Sequence, residues 1–401
     1  MSSIAATTPS TIAIVGGSYV GMRLAQALVP VLPPTHRVVV VEANSHFHHL
    51  FTFPRFSVLH RGGEEKAFIP YSHALEAGAA GNAIIHAKAL SIHPSAETSS
   101  KGYLKLDRAA NQGSDTLEFD YLAIATGNQL REPWSLPPTS HEGVTAKKQA
   151  VETLRRYQDA VKQARNIVIV GGGAVGAQVA CDIAELYPLT PSKTLVLQRF
   201  AERNINTHLG SRVVIPSLGF PAFKEGEMFE VELQNGSKVK ADLVLMCTGQ
   251  TPRSSLLSSF APEVITADGF IDVHSSLQIK STPSALGARV FALGDIANSG
   301  AAKTVRAAAG QIDVIKSNIL SLIAAETRGK EEGKLELQTF TPGPSGIHLS
   351  LGLYESVKFR NPAKEGEEPW CEGLERDLKI DMGIEGTWKK WNVPEGTPWH
   401  L

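Results

Sequence analysis

Two carboxylates and two sets of glycines define the chemistry open to this 401-residue chain. Gly16, Gly17, Ser18 and Gly21 interrupt the apolar run "TIAIVGGSYVG", and Glu42 closes the next apolar run, "RVVVVE", 21 residues beyond Gly21. A strand that ends at Val15 and turns through Gly16, Gly17 and Ser18 into a helix near Tyr19 points free backbone N–H groups past the strand end, where pyrophosphate binds. A carboxylate at the Glu42 spacing lies beside an adenosine ribose and accepts hydrogen bonds from its hydroxyls. The glycines alone do not decide the matter, because Ser18 replaces the middle one and any tight strand-to-helix turn uses glycine. The acid after the second strand favours a dinucleotide.

The same arrangement recurs. "NIVIVGGGAVGAQVA", residues 166–180, completes the pattern with Gly171, Gly173 and Gly176, and "TLVLQR" then supplies a strand ending at Gln198, where the first unit has Glu42. Each unit has a matching buried-strand tail: "FDYLAIATG" ends at Thr126 and Gly127, and "ADLVLMCTG" ends at Gly249. Two matched pairs of glycine turn and Thr-Gly strand imply two nucleotide-binding domains of one kind. The second carboxylate, Asp295, ends the apolar strand of "VFALGDIAN", ahead of a long helix with apolar residues at three- and four-residue spacing. It reads either as a cap or as an acceptor for the ribityl chain of a flavin.

The elements that must position these groups belong to an ordinary globular chain. It is 42% hydrophobic and 20% charged, long enough for two or three domains, with 39 basic and 40 acidic residues. That balance speaks against nucleic acid as a partner. Cys181, Cys247 and Cys371 form no C-x-x-C pair and fit a reducing compartment, so a cytoplasmic protein is expected. No apolar run suits a transmembrane helix, and peripheral membrane contact and a homo-oligomer are left open. His46, His48 and His49 are crowded together but have no carboxylate or cysteine at ligand spacing, so no metal is expected.

Residues 360–401 hold four of the five tryptophans, Trp370, Trp388, Trp391 and Trp399. They read as aromatic anchors of a strapped tail or partner interface, or as a membrane or quinone-docking surface. Acids such as Glu367, Glu368 and Glu372 nearby favour packing.

The motifs "IVGGSYVG", "FHHLFTFPR", "FDYLAIATG", "IVIVGGGAVG", "CTGQTPRS", "LGDIAN" and "TPGPSGIHLSLG" resemble those of flavoproteins with the pyridine nucleotide-disulfide oxidoreductase fold. Within that group the chain most resembles the branch of ferroptosis suppressor protein and the apoptosis-inducing-factor-like flavoproteins and, more distantly, the type II NADH dehydrogenases. The resemblance implies an α/β fold with two Rossmann-like domains. Residues 1–150 and 280–335 would bind FAD, 151–279 would bind NAD(P)H, and 336–401 would form a Trp-rich C-terminal interface segment. Gly16, Gly17, Ser18, Gly21, Glu42, Thr126 and Gly127 would then hold the adenosine and pyrophosphate of FAD, Asp295 its ribityl chain, and Lys303 and Thr304 the pyrimidine end of the flavin. Arg55 is a further candidate for FAD, while Gly171, Gly173, Gly176, Gln198, Arg199 and Gly249 would bind NAD(P)H.

The neutral Gln198, followed by Arg199 and Arg203, leans towards NADPH, since an acid that would repel the 2′-phosphate is absent. Solvated arginines after a strand are the plainer alternative. Gln178 stands where relatives often have a glutamate near the nicotinamide, and Thr341 where quinone-reducing relatives tend to have a lysine. With Lys303, Gln178 is a candidate catalytic residue. The reaction this implies is hydride transfer from nicotinamide to flavin N5, then electron transfer to a quinone or another small acceptor, oxygen included. A flavin-dependent oxidase or dehydrogenase of a small metabolite, and a redox-sensing interaction protein, are the alternatives.

Overall fold

A computed structural model describes residues 9–400 apart from 61, 77, 79–80, 97–98, 137–142, 188–199, 202–203, 282–283, 330–334 and 377. The chain opens with β1 (Ser10–Val15), α1 (Tyr19–Leu28) and β2 (His36–Glu42). Ile12, Ala13 and Ile14 are all fully buried, which is the pattern of a strand covered on both faces and not of one alternating between core and water. β3 (His46–His48), α2 (Phe53–Phe56), β4 (Phe68–Pro70) and β5 (Ala83–His86) follow.

β1 is the middle strand of a parallel sheet whose order is Val290–Ala292, Tyr121–Ile124, β1, β2, β5. The chain leaves β1 for β2 on one side and lays Tyr121–Ile124 on the other. This reversal makes the crevice beyond the strand ends a ligand-binding switch point. Val15 is in register with both Val41 and Ile124, so Gly16 lies over that crevice.

α3 (Gly143–Gln163) leads to the second unit. There Ile167–Val170 pairs in parallel with Leu243–Met246, and α4 (Ala174–Leu186) follows the second glycine turn. The strand expected at "TLVLQR" lies outside the described residues. A short antiparallel ribbon, Asn128–Leu130 against Gln250–Pro252, joins the two units. α5 (Val305–Thr327) returns to pack against α1.

The last residues do not form a separate layer. α6 (Glu385–Lys390) places Trp388 and the following Trp391 on one helical face, and both are buried, with Ile384 and Val393, in the core that contains β1 and β2. Trp391 stacks on Phe47 at 4.1 Å, Trp388 Nε1 donates to the Lys66 carbonyl at 2.8 Å, and Trp399 meets Trp388 edge-on at 4.5 Å. Trp370 differs: it lies on a three-stranded sheet (Gly346–Ser350, Ser356–Arg360, Trp370–Glu375), 46% exposed. The packing expectation therefore describes three of the four tail tryptophans, and residues 336–401 are not one interface segment. Among the described residues no helix is long and apolar enough to cross a membrane.

Candidate functional site

At the first turn the glycines are sterically obligatory. Gly16 has φ +100°, and a Cβ there would overlap the Ala125 carbonyl oxygen; one at Gly21 would overlap the Gly16 carbonyl oxygen, closing the helix onto the strand. Ser18 is the N-cap of α1, yet its side chain makes no capping bond and the first turn carries no acid. The amides at the start of α1 are thus available to an anion.

Glu42 is buried beside them. Its Oε2 accepts from the Gly17 amide at 2.6 Å, while Oε1 accepts from the Asn44 backbone and side chain at 2.8 and 2.9 Å. The Tyr71 hydroxyl donates to the Gly17 carbonyl at 3.1 Å. The carboxylate is held at the turn with acceptor capacity left over, which suits ribose hydroxyls. Asn44 also lines a cavity of about 130 Å³ between β3 and α3, with His46, His48, Glu132 and Lys147. Burial pushes the Lys147 ammonium down to about 8.

Gly127 ends its strand in the left-handed region at φ +60°. The Thr126 hydroxyl donates to the Arg253 carbonyl at 2.7 Å, so this side chain joins the two units. Asp295 lies in the tight turn Gly294–Ile296. Burial raises its pKa, opposed by the charge of Lys303, and its carboxylate accepts no hydrogen bond among the described residues. An acceptor without donors in a crevice fits the hydroxyls of a sugar alcohol. Lys303 itself is turned onto its own loop, donating to the Ala297 carbonyl at 2.6 Å above the Phe270 ring. Thr304 caps α5 by accepting from the Ala307 amide at 3.2 Å.

Arg55 requires a correction. It is fully buried, and all five of its donors are used within the protein: Nε by Asp182 at 2.7 Å, Nη1 by the carbonyls of Leu353 and Ile380, Nη2 by Ser350 Oγ and the Gly352 carbonyl. None is left for a cofactor. The residue clamps α2 to α4 and to the C-terminal segment. Burial pushes Asp182 up to about 6 despite this pairing, which leaves it ionised at neutral pH.

The three histidines have packing roles. His48 is pushed down to about 3, first by burial and then by the charges of His46 and Arg253, and it meets Phe68 edge-on. His49 is pushed down to about 4 by burial and by Lys390. It bridges the Tyr19 hydroxyl at 2.7 Å and Thr387 Oγ1 at 3.3 Å. Among the described residues no three His, Cys, Asp or Glu side chains converge as metal ligands.

The second turn repeats the first. Gly171 has φ +116°, with the Cys247 carbonyl oxygen 2.8 Å from where a Cβ would lie; a Cβ at Gly176 would overlap the Gly171 carbonyl oxygen, and Gly173 faces open space. Gly173 caps α4 without a side-chain bond. Beyond it opens a cleft of about 300 Å³ lined by Leu130, Trp134, Val175, Cys247, Thr248, Gly249 and Gln250. Gln178 is buried and donates to Met382 Sδ at 3.7 Å, towards the C-terminal segment. Gln198, Arg199 and Arg203 lie outside the described residues. Burial pushes the Cys247 thiol up to about 12.

Sequence reasoning passed over Arg253. The motif "CTGQTPRS" contains it, and its place after the second Thr-Gly strand was the available signal. The structure sets its backbone N–H on the Gly127 carbonyl at 3.1 Å, beside the first turn.

Comparison with known proteins agrees with this architecture. The family described as "Pyridine nucleotide-disulphide oxidoreductase" matches residues 10–311. Fe-regulated protein 8 of Mycosarcoma maydis is 34% identical over 383 residues, covering 89% of this chain and 90% of that protein. Ferroptosis suppressor protein 1 of Xenopus tropicalis is 27% identical, covering 86% and 87%. The sulfide:quinone oxidoreductase of Aquifex aeolicus has a similar structure, with a TM-score of 0.66 at 17% identity, covering 96% of this chain and 93% of that one.

Proposed function

Since the chain belongs to the pyridine nucleotide-disulphide oxidoreductase family, whose cofactors are FAD and NAD(P)H, we propose that it oxidises NADPH and delivers the electrons to a quinone-type small molecule. The observation that carries this reading concerns the thiols. The first domain contains no cysteine, as the earliest is Cys181, and all three cysteines are unpaired. Cys247, in the second cleft, keeps its thiol proton at neutral pH. A disulfide substrate would need a thiolate partner, so a diffusible acceptor is favoured.

In this reading the amides of α1 hold the FAD phosphates, Glu42 the ribose and Asp295 the ribityl hydroxyls, while the turn Gly171–Gly176 takes the phosphates of NAD(P)H. When bound, the flavin accepts two electrons from the nicotinamide and passes them on. Tyr19, at the first position of α1, keeps its phenolic proton because burial raises its pKa far above the usual range. His49, bonded to that hydroxyl through Nδ1, stays neutral. These groups fix the turn and do not exchange protons near neutral pH. The lean to NADPH rests on Gln198 and Arg199.

The test is an anaerobic titration of the purified protein with each nucleotide, followed by menadione. NADPH should bleach the flavin band at lower concentration than NADH, and the quinone should restore it. A bound flavin that neither nucleotide bleaches would remove the proposal.

A further inference from the structure

The ribbon between the two units carries an exchange of arginines. Its register pairs Asn128 with Pro252 and Leu130 with Gln250. Antiparallel geometry then sets the residues just outside each strand opposite one another: Gly127 faces Arg253, and Arg131 faces Gly249. Contacts agree at both ends. The Arg253 amide donates to the Gly127 carbonyl at 3.1 Å and its carbonyl accepts from Thr126 Oγ1, while Arg131 Nε lies 3.6 Å from where a Cβ on Gly249 would be.

Each Thr-Gly strand end adjoins its own glycine turn. The Thr126 amide lies 3.2 Å from the Cβ position of Gly16, and Thr248 Cγ2 lies 2.6 Å from that of Gly171. The first turn therefore has beside it an arginine from the second half of the chain, and the second cleft has one from the first half.

Neither guanidinium is used up. Arg253 Nη2 donates to Gln129 Oε1, which is the one side-chain hydrogen bond that Arg253 makes among the described residues. Arg131 makes none with its side chain among those residues. Arg253 is also close enough to Glu42, the acid of the first turn, for their charges to interact, and burial lowers its pKa. The start of α1 has amides but no cation, and so does the start of α4. A pyrophosphate carries two negative charges, which helix-terminal amides alone neutralise incompletely.

We propose that the two arginines are exchanged counter-cations: Arg253, from the second half, pairs with the dinucleotide phosphates at the Gly16–Gly21 turn, and Arg131, from the first half, pairs with those of the nucleotide at the Gly171–Gly176 turn. This rests on the assignment of FAD to the first turn and NAD(P)H to the second. Each site is then incomplete without the other half of the chain. The three-residue ribbon enforces this, because lengthening or shifting either strand would move both arginines at once.

The test uses the full-length chain and two probes, FAD added after flavin removal and NADP+ added to the flavin-loaded protein, each titrated over a range of salt. Arg253→Gln should weaken FAD by about 10- to 100-fold at low salt and flatten its salt dependence, with NADP+ affinity unchanged. Arg131→Gln should weaken NADP+ and spare FAD. Arg253→Lys should keep the salt dependence while losing part of the affinity. The exchange is overturned if Arg253→Gln leaves FAD binding unaltered, if each arginine affects the ligand of its own half, or if both ligands weaken together without a change in salt slope, which is the signature of a distorted ribbon. A parent chain that binds no FAD would sink the flavin assignment as well, whereas an unaltered Arg253→Gln chain sinks the exchange alone.

Discussion

His49 shows how burial fixes a single residue's chemistry. Hydrogen-bonded between Tyr19 and Thr387, it is held neutral, with a pKa of about 4 against 6.5 in an exposed chain. Between these values the unfolded state binds more protons, so the contribution of His49 is fully present above pH 6.5 and is lost as pH falls towards 4. His48, at about 3, acts in the same direction. Asp182, raised to about 6, acts oppositely, because over the acid side of that range the folded state binds the extra proton. A comparison of urea midpoints at pH 7 and pH 5 separates them: His49→Gln should lose less stability on acidification than the parent, by about 2 kcal/mol. Equal losses would mean that His49 titrates normally. The glycines were legible at this scale because their requirement is local, a positive φ or a neighbouring carbonyl. The role of Arg55 was not, since its five partners come from Asp182 and from residues 350–353 and 380, which no local pattern links to it.

Among the elements, α6 departs furthest from its sequence appearance. A six-residue helix in an acidic, tryptophan-rich tail looks like surface, yet Trp388 and Trp391 are 4% and 7% exposed in the core of the first domain. Trp391 lies between Phe47 and Tyr71, and the Tyr71 hydroxyl holds the Gly17 carbonyl. Trp391→Ala should therefore cost about 3–5 kcal/mol in denaturant unfolding and weaken FAD retention with it. A variant of unchanged stability would show that the tail is detachable. β1, α1, β2 and the long α5 were readable in advance, because continuous apolar runs and three- to four-residue spacing report burial directly. A short helix that is buried only because another element covers it has no such signal.

For the whole molecule, the decisive contacts are those between distant stretches. Arg55 and Asp182 form a fully buried pair joining α2 to α4, and the same guanidinium anchors the C-terminal segment. Arg55→Met should leave Asp182 uncompensated and destabilise the chain by about 3–5 kcal/mol, and adding Asp182→Asn should recover part of that loss. Denaturant unfolding of the two variants checks this, and a single variant within about 1 kcal/mol of the parent would show the pair to be dispensable. The sequence by itself determined the duplicated turn-and-strand plan, the positions of Glu42 and Asp295 at strand ends, and the lack of thiols suited to disulfide chemistry, because each is a matter of local conformation or composition. Only the tertiary structure decided that Arg55 is a clamp, that the tail tryptophans complete the first core, and that Arg253 and Arg131 stand beside the turns of opposite halves. These depend on which distant segments meet, and a linear chain records its periodicities but not its long-range contacts.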